Sequence, residues 1–209
     1  EYGLYFAIFN YVYIFQILLD FGLQNFNQTE IASDNSKFRQ LFPGMLSTKL
    51  VLTIAYVVLT VIVGVLLGYS DEKYFGWLIV NQIILSLNVF LRSNISAHRL
   101  FIKDAFLSII DKTLMIAGSL LMFIPSIHWL ELNIQNFIWI QTFSMLVASI
   151  FCIYYNLKLS DTFDWKFDPV LFKSILVRAV PFALIYFLIT IYYRIDTVMI
   201  EQMLSNGAV

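Results

Sequence analysis

The sequence predicts an all-α integral membrane protein with six transmembrane helices, and three observations support this fold class. Of the 209 residues, 60% are hydrophobic and 13% are charged, whereas soluble domains have about 45–50% apolar and about 25% charged residues. The mean hydropathy is +0.78. A transmembrane helix needs about 20 apolar residues, and six runs approach or exceed that length: 2–26, 49–68, 74–96, 105–124, 134–155 and 181–200.

The first run, 2–26, carries an aspartate near its C-terminal end. Gln16, Asp20 and Gln24 recur at helical spacing and share one face. A membrane helix turns such a face toward other helices or a water-filled cavity, because lipid cannot hydrogen-bond it. Two interpretations of Asp20 stay open: it lies hydrated at the level of the headgroups, or it faces the interior of the bundle.

The second run, 49–68, is the most apolar of the six. Small and polar residues form a stripe along one of its faces, which predicts a close helix contact. The members of this stripe are Thr53, Tyr56, Thr60 and Gly64. The preceding segment, 38–46, is predicted to lie along the membrane interface, and Lys49 is assigned to the connection between the first two spans.

The third run, 74–96, carries Asn81, Asn88 and Arg92 on one face. Exposing a central arginine to lipid costs roughly 2.5–3.5 kcal/mol on insertion scales, so this face is predicted to point inward. The alternative is that Arg92 extends its side chain to the nearer interface.

The fourth run, 105–124, contains the adjacent charges Asp111 and Lys112. They form either a local hydrated pair or half of an interhelical network. The fifth run, 134–155, has few polar residues.

The sixth run, 181–200, carries Arg194 and Asp196. Two residues apart on a helix, they point in nearly opposite directions, so each needs its own partner or water. Tyr186, Thr190 and Arg194 share one broad polar face, which predicts that this helix borders a polar cavity. Upstream, Asp168 and Pro169 predict the start of a short amphipathic helix over 170–177.

Basic residues are distributed unequally between the two sides of the predicted membrane. Nine lie in the connections after the first, third and fifth spans, and the opposite side has only Lys73. The positive-inside rule therefore places these connections in the cytoplasm and both Glu1 and Val209 outside. The nine are Lys37, Arg39, Lys49, Arg99, Lys103, Lys158, Lys166, Lys173 and Arg178.

The sequence argues against several functional classes. Its single cysteine, Cys152, excludes an internal disulfide and a cysteine-based metal cluster. It has no HExxH, GxSxG, P-loop or dinucleotide-binding motif and no nucleic-acid-binding patch. We therefore expect no enzymatic activity, no cofactor, no metal and no nucleic-acid partner.

Two stretches resemble bacterial polysaccharide flippases, the O-antigen and exopolysaccharide transporters of the multidrug/oligosaccharidyl-lipid/polysaccharide exporter superfamily. Residues 1–7 (EYGLYFA) and 19–23 (LDFGL) resemble the second helix of that family. Residues 181–196, which end in YRID, and 206–209 (NGAV) resemble its seventh helix and the following loop. The resemblance covers residues 1–209 as helices two to seven, so the chain is expected to be a fragment truncated at both ends.

This resemblance implies a fold of two pseudo-symmetric bundles around a cavity that opens alternately to each side of the bacterial inner membrane. The six spans would form most of one bundle, and the second bundle of the same chain would be missing. The implied substrate is an undecaprenyl-pyrophosphate-linked oligosaccharide. Two alternatives stay open: a drug extruder of the same superfamily, and a membrane-embedded enzyme of envelope-glycan synthesis, which the short outer loops disfavour.

The implied substrate assigns hypothetical roles to nine polar residues. Arg92 and Arg194 are the candidates for binding pyrophosphate, because the planar guanidinium suits phosphate. Candidates for hydrogen-bonding sugar hydroxyls are Asn81, Asn88, Tyr186 and Thr190. Candidates for balancing charge or carrying a coupling proton or cation are Asp20, Asp111 and Asp196.

Overall fold

The computed structural model describes residues 2–34, 38–69, 73–124, 132–160 and 169–204, which form eight α-helices and no strand. This confirms the prediction of an all-α membrane protein. The helices are α1 (Tyr2–Ile14), α2 (Gln16–Asp20), α3 (Leu23–Ser33), α4 (Phe38–Leu66), α5 (Phe75–Ala97), α6 (Phe101–Leu121), α7 (Ile134–Ser160) and α8 (Pro169–Leu204).

Four stretches in the described residues are long and apolar enough to cross a membrane. They are α4, α5, α7 and the Pro169–Ile189 part of α8. Helix α6 has 21 residues but also four charged ones, and the first apolar run is divided into shorter helices. The number of six transmembrane spans stays a prediction.

The first apolar run is interrupted rather than continuous. Phe21, with φ of 42°, and Gly22, with φ of 72°, both adopt the left-handed conformation and separate α2 from α3. This conformation costs a residue other than glycine about 1–2 kcal/mol. The surrounding structure must therefore hold Phe21 in place.

Helix α4 begins eleven residues earlier than the predicted second span, at Phe38, and continues through Pro43. The prediction that segment 38–46 lies along the interface is wrong. Phe38, Phe42 and Met45 are buried in the core, because their spacing of three and four residues continues the inward stripe of the same helix. Farther along α4, Tyr56, Thr60 and Gly64 are buried as predicted.

Helix α8 is also longer than predicted. It runs for 36 residues through Pro181, so there is no separate amphipathic helix over 170–177. Ile175, Ala179 and Ala183 are buried at spacings of four, so one packed face continues past the proline. Pro169 is helical, and Asp168 lies outside the described residues, so the predicted helix start at these two residues stays a prediction.

Helix α5 is the centre of the bundle and packs against α1, α2, α3, α6 and α7. Three contacts join the ends of neighbouring helices at its C-terminal end. The Glu30 carboxylate accepts a hydrogen bond from Arg178, Phe38 contacts the His98 ring, and the Lys103 ammonium lies 5.3 Å from the Tyr155 ring centroid. We call this end of the bundle the basic end, because the described members of the predicted cytoplasmic basic group, Lys49 excepted, lie within about three turns of the helix ends there.

Candidate functional site

A ladder of polar side chains joins α5 to α7. The Asn81 side chain accepts a hydrogen bond from the Thr142 hydroxyl at 2.6 Å, and that of Asn88 accepts one from the Ser149 hydroxyl at 2.7 Å. Asn88 also donates to the Met145 carbonyl at 3.0 Å. Both asparagines face the protein interior, as predicted, but here their amides hold two helices together.

The ladder continues toward the basic end and there reaches α3. Asn94 on α5 donates to the Asn156 side chain at 2.6 Å. Asn27 on α3 donates to Ser93 at 2.9 Å and also to Asn94. The rungs on each helix are about seven residues apart, so two turns separate successive pairs. This ladder therefore ties α3, α5 and α7 into one unit.

The helix break brings a carboxylate to the start of α3. Asp20 is 8% exposed, and its carboxylate accepts hydrogen bonds from the backbone N–H groups of Gly22 and Gln24. These groups belong to the first turn of α3, where a helix lacks internal acceptors and favours negative charge. Asp20 thus faces the interior, and it acts as the cap of α3.

Lys49 provides the matching positive charge. Its ammonium donates to the Leu19 carbonyl at 2.7 Å and to the Ser86 hydroxyl at 2.6 Å, and the residue is 2% exposed. The break removes the regular amide partner of the Leu19 carbonyl at the C-terminal end of α2, which favours a cation. The assignment of Lys49 to a loop is therefore wrong, and only eight basic residues remain in the topology prediction.

The spacing of the neighbouring buried residues indicates that Lys49 is buried, although the search for long apolar runs did not detect this. The buried residues Met45 and Tyr56 lie four residues before and seven residues after it. These spacings put Lys49 on the inward stripe of α4. The predicted span began at residue 49, where hydropathy is strongest. That boundary divided the inward stripe, so Lys49 was interpreted as a residue flanking the helix.

Helix α8 packs closely against the break. A Cβ atom on Gly22 would lie 2.5 Å from the Ala183 backbone nitrogen and 2.8 Å from the Ala179 carbonyl oxygen. On the same helix, Tyr186 shares a hydrogen bond with Tyr13 of α1 and interacts electrostatically with Asp20. The structure thus brings two predicted site residues, Asp20 and Tyr186, together.

Arg92 lies at a second polar position, between α3, α5 and α6. Its Nε donates to Asp104 Oδ1 at 2.8 Å, and the two side chains are 28% and 22% exposed. A cavity of about 130 Å³ beside this pair is also lined by Gln24, Gln28 and Ser93. We call it the Arg92 cavity. It is polar and partly open, and Gln24 links its wall to the first turn of α3 capped by Asp20.

The remaining site predictions lie apart from these two positions. Asp111 pairs with Lys112 of the same helix at 3.2 Å, with the lysine side chain 55% exposed, as the interpretation of a local pair predicts. The side chains of Thr190, Arg194 and Asp196 lie outside the described part of α8.

The arrangement offers two chemically distinct features along the contact between the broken helix and α5. One is the buried pair of charges at the break, and the other is a partly exposed guanidinium in the Arg92 cavity. Sequence reasoning missed Lys49 and Asp104, which interact with Asp20 and Arg92, and Ser86, which accepts a hydrogen bond from Lys49. Within the described ranges, no group of three or more His, Cys, Asp or Glu side chains is placed to bind a metal ion.

Comparison with known proteins identifies a family. Over residues 1–209 the chain matches the family described as "Polysaccharide biosynthesis protein". No curated protein and no solved structure matches the chain significantly.

Proposed function

Because this chain belongs to the polysaccharide biosynthesis protein family, we propose that it flips an undecaprenyl-pyrophosphate-linked oligosaccharide across the bacterial inner membrane. The protein would work by alternating access, as a transporter rather than an enzyme, and supply units for a surface polysaccharide such as O-antigen or an exopolysaccharide. The basic end would face the cytoplasm, where the lipid-linked unit is made. The second bundle needed to close the transport cavity would come from the same polypeptide.

The observation that carries this proposal is the position of Arg92. A pyrophosphate headgroup needs a cationic partner inside the protein, and a guanidinium binds two of its oxygens at once. Arg92 is partly exposed in a polar cavity near the basic end. Its partner, Asp104, holds the guanidinium in place and balances its charge until an anionic headgroup displaces the carboxylate.

The other residues take roles that follow from their positions. Tyr186 and Asp20 adjoin the helix break, where a moving helix would expose them to substrate or to a coupling proton or cation. Asn81 and Asn88 would reach sugar hydroxyls only after leaving their partners on α7. Roles for Thr190, Arg194, Asp196 and Asp111 rest on the sequence alone.

The proposed function is tested first by deletion and complementation with the complete gene. We expect the deletion to remove surface polysaccharide and to trap lipid-linked precursor on the cytoplasmic face, and the intact gene to reverse both. Normal polysaccharide with altered drug sensitivity would instead assign the protein to drug extrusion. Short unpolymerised units on the outer surface would assign it to an enzymatic step.

Arginine variants then test the assigned site. Arg92→Ala and Arg194→Ala are expected to abolish surface polysaccharide while the protein still inserts into the membrane. Arg92→Lys is expected to retain part of the activity, because it keeps the charge but loses the planar fork.

Asp104→Asn is the matched control for Arg92, since it breaks the same ion pair but leaves the cation. If Arg92 binds phosphate, the Asp104 variant keeps most of the polysaccharide. Equal losses in the two variants would show that the ion pair is structural and would refute the role of Arg92 in substrate binding.

A further inference from the structure

We propose that the break between α2 and α3 is a monovalent-cation site, and that the Lys49 ammonium occupies it as a cation tethered to the chain. The inference concerns how the break is neutralised, so it holds whatever substrate the protein moves. It is tested by stability rather than transport.

Three oxygen-bearing groups define the site. The Leu19 carbonyl lies 2.7 Å from Lys49 Nζ and the Ser86 hydroxyl lies 2.6 Å from it. The Asp20 carboxylate interacts electrostatically with the ammonium from a greater distance. Carbonyl, hydroxyl and carboxylate oxygens are the ligands that hard cations such as Na⁺ prefer. In transporters, the C-terminal ends of interrupted helices coordinate such ions.

The charge at the break explains why the site needs a permanent occupant. The Asp20 carboxylate and the C-terminal end of α2 are both negative and both buried. Without a cation, only the first turn of α3 would compensate the buried carboxylate, and the carbonyl end of α2 would have no positive partner. A tethered ammonium is present at a high effective concentration, so it neutralises the break at any salt concentration.

Two buried polar atoms on the helices that supply the site lack hydrogen-bond partners. One turn from Asp20 on α2, the Oε1 atom of Gln16 is buried without a hydrogen-bond partner. One turn from Ser86 on α5, the Nε2 atom of Gln82 is likewise unpartnered, and Gln82 is 4% exposed. Buried polar atoms in this state mark positions for water or an ion. The Phe90 ring, whose centroid lies 5.9 Å from Lys49 Nζ, is the apolar wall of the site.

The test removes the tethered cation and supplies free ones. Lys49→Ala in the purified full-length protein is expected to lower Tm in choline chloride by roughly 10 °C, as for loss of one partner of a buried charge pair. Sodium, potassium or methylammonium at 100 mM should each enter the vacated site. We expect the best of them to restore about 4 °C, which corresponds to a tenfold excess over Kd.

Three controls make the result specific. Wild-type protein and Lys158→Ala, which removes an exposed lysine, should show the same Tm in all four salts. Adding Asp20→Asn to Lys49→Ala should abolish the cation response. If Lys49→Ala cannot be purified in choline, its yield is compared between methylammonium and choline, and a higher yield in methylammonium supports the site.

Four results would overturn the inference. They are an Lys49→Ala protein indifferent to all three cations, equal yields in methylammonium and choline, a wild-type protein that responds as strongly as the variant, or a response that survives Asp20→Asn. None of these outcomes bears on whether the protein flips a glycolipid, so the two proposals can fail separately.

Discussion

Replacing Gly22 by alanine perturbs the helix break in a way whose cost follows from the structure. The φ of 72° is left-handed, which costs an alanine about 1–2 kcal/mol. The new Cβ would lie 2.5 Å from the Ala183 nitrogen and 2.8 Å from the Ala179 oxygen. Both are backbone atoms that cannot rotate away, so overpacking adds about 1–3 kcal/mol. We therefore expect Gly22→Ala to lower the free energy of unfolding by about 2–5 kcal/mol.

Two other glycines separate the contribution of the left-handed backbone from that of overpacking. Gly68 has φ of 77°, but a Cβ there meets no described atom within 4 Å, so Gly68→Ala should cost only the left-handed contribution of about 1–2 kcal/mol. Gly76 is helical and equally open, so Gly76→Ala should be neutral or gain up to about 1 kcal/mol.

The measurement is equilibrium unfolding of the full-length protein in mixed detergent and SDS micelles, with tryptophan fluorescence as the signal. The predicted order of stability is Gly76→Ala, wild type, Gly68→Ala, Gly22→Ala. A Gly22 variant within about 0.5 kcal/mol of the Gly68 variant would refute the close approach of α8 to the break, since strain in the backbone alone would then explain both losses.

Two further predictions concern the α5–α7 contact and the core. A double-mutant cycle of Asn88→Ala and Ser149→Ala should show a coupling energy of about 0.6 kcal/mol and no more than about 1.7 kcal/mol, the average and the maximum for hydrogen bonds between membrane helices. A coupling energy of zero would mean that the hydrogen bond of 2.7 Å between these side chains does not stabilise the fold. Cys152, which is fully buried, should react with a maleimide only after SDS unfolding, and rapid labelling of the folded protein, followed by mass spectrometry, would contradict the packing of α7.

The sequence predicted the inward faces of the helices better than their ends. The stripe with Tyr56 and Thr60 in α4 and the asparagines of α5 are buried as predicted, because lipid excludes polar groups wherever the helix is placed. The first turns of α4 and α8 are less hydrophobic, and there only the spacing of the apolar residues indicates that the helix is already packed. There hydropathy is moderate, and the predicted boundaries cut continuous helices at residue 49 and at Pro181.

The partners of the charged residues could not be read from spacing. Arg92 was identified from its face on α5, but its ion pair with Asp104 comes from the turn that brings α6 back against α5. Lys49 and Leu19 are thirty residues apart, so only packing of α4 against the broken first helix brings them together. Local periodicity gives a direction for each side chain and carries no information about which distant element lies there.

By itself, the sequence determined that this protein is helical and embedded in a membrane, and that polar faces point inward, because composition and the cost of exposing polar groups to lipid fix both. Only the tertiary structure decided that the first helix breaks at Phe21 and Gly22. Two left-handed residues and a buried carboxylate are unfavourable on their own. They persist because Lys49 neutralises one side of the break, Asp20 caps the other, and α8 packs against the glycine.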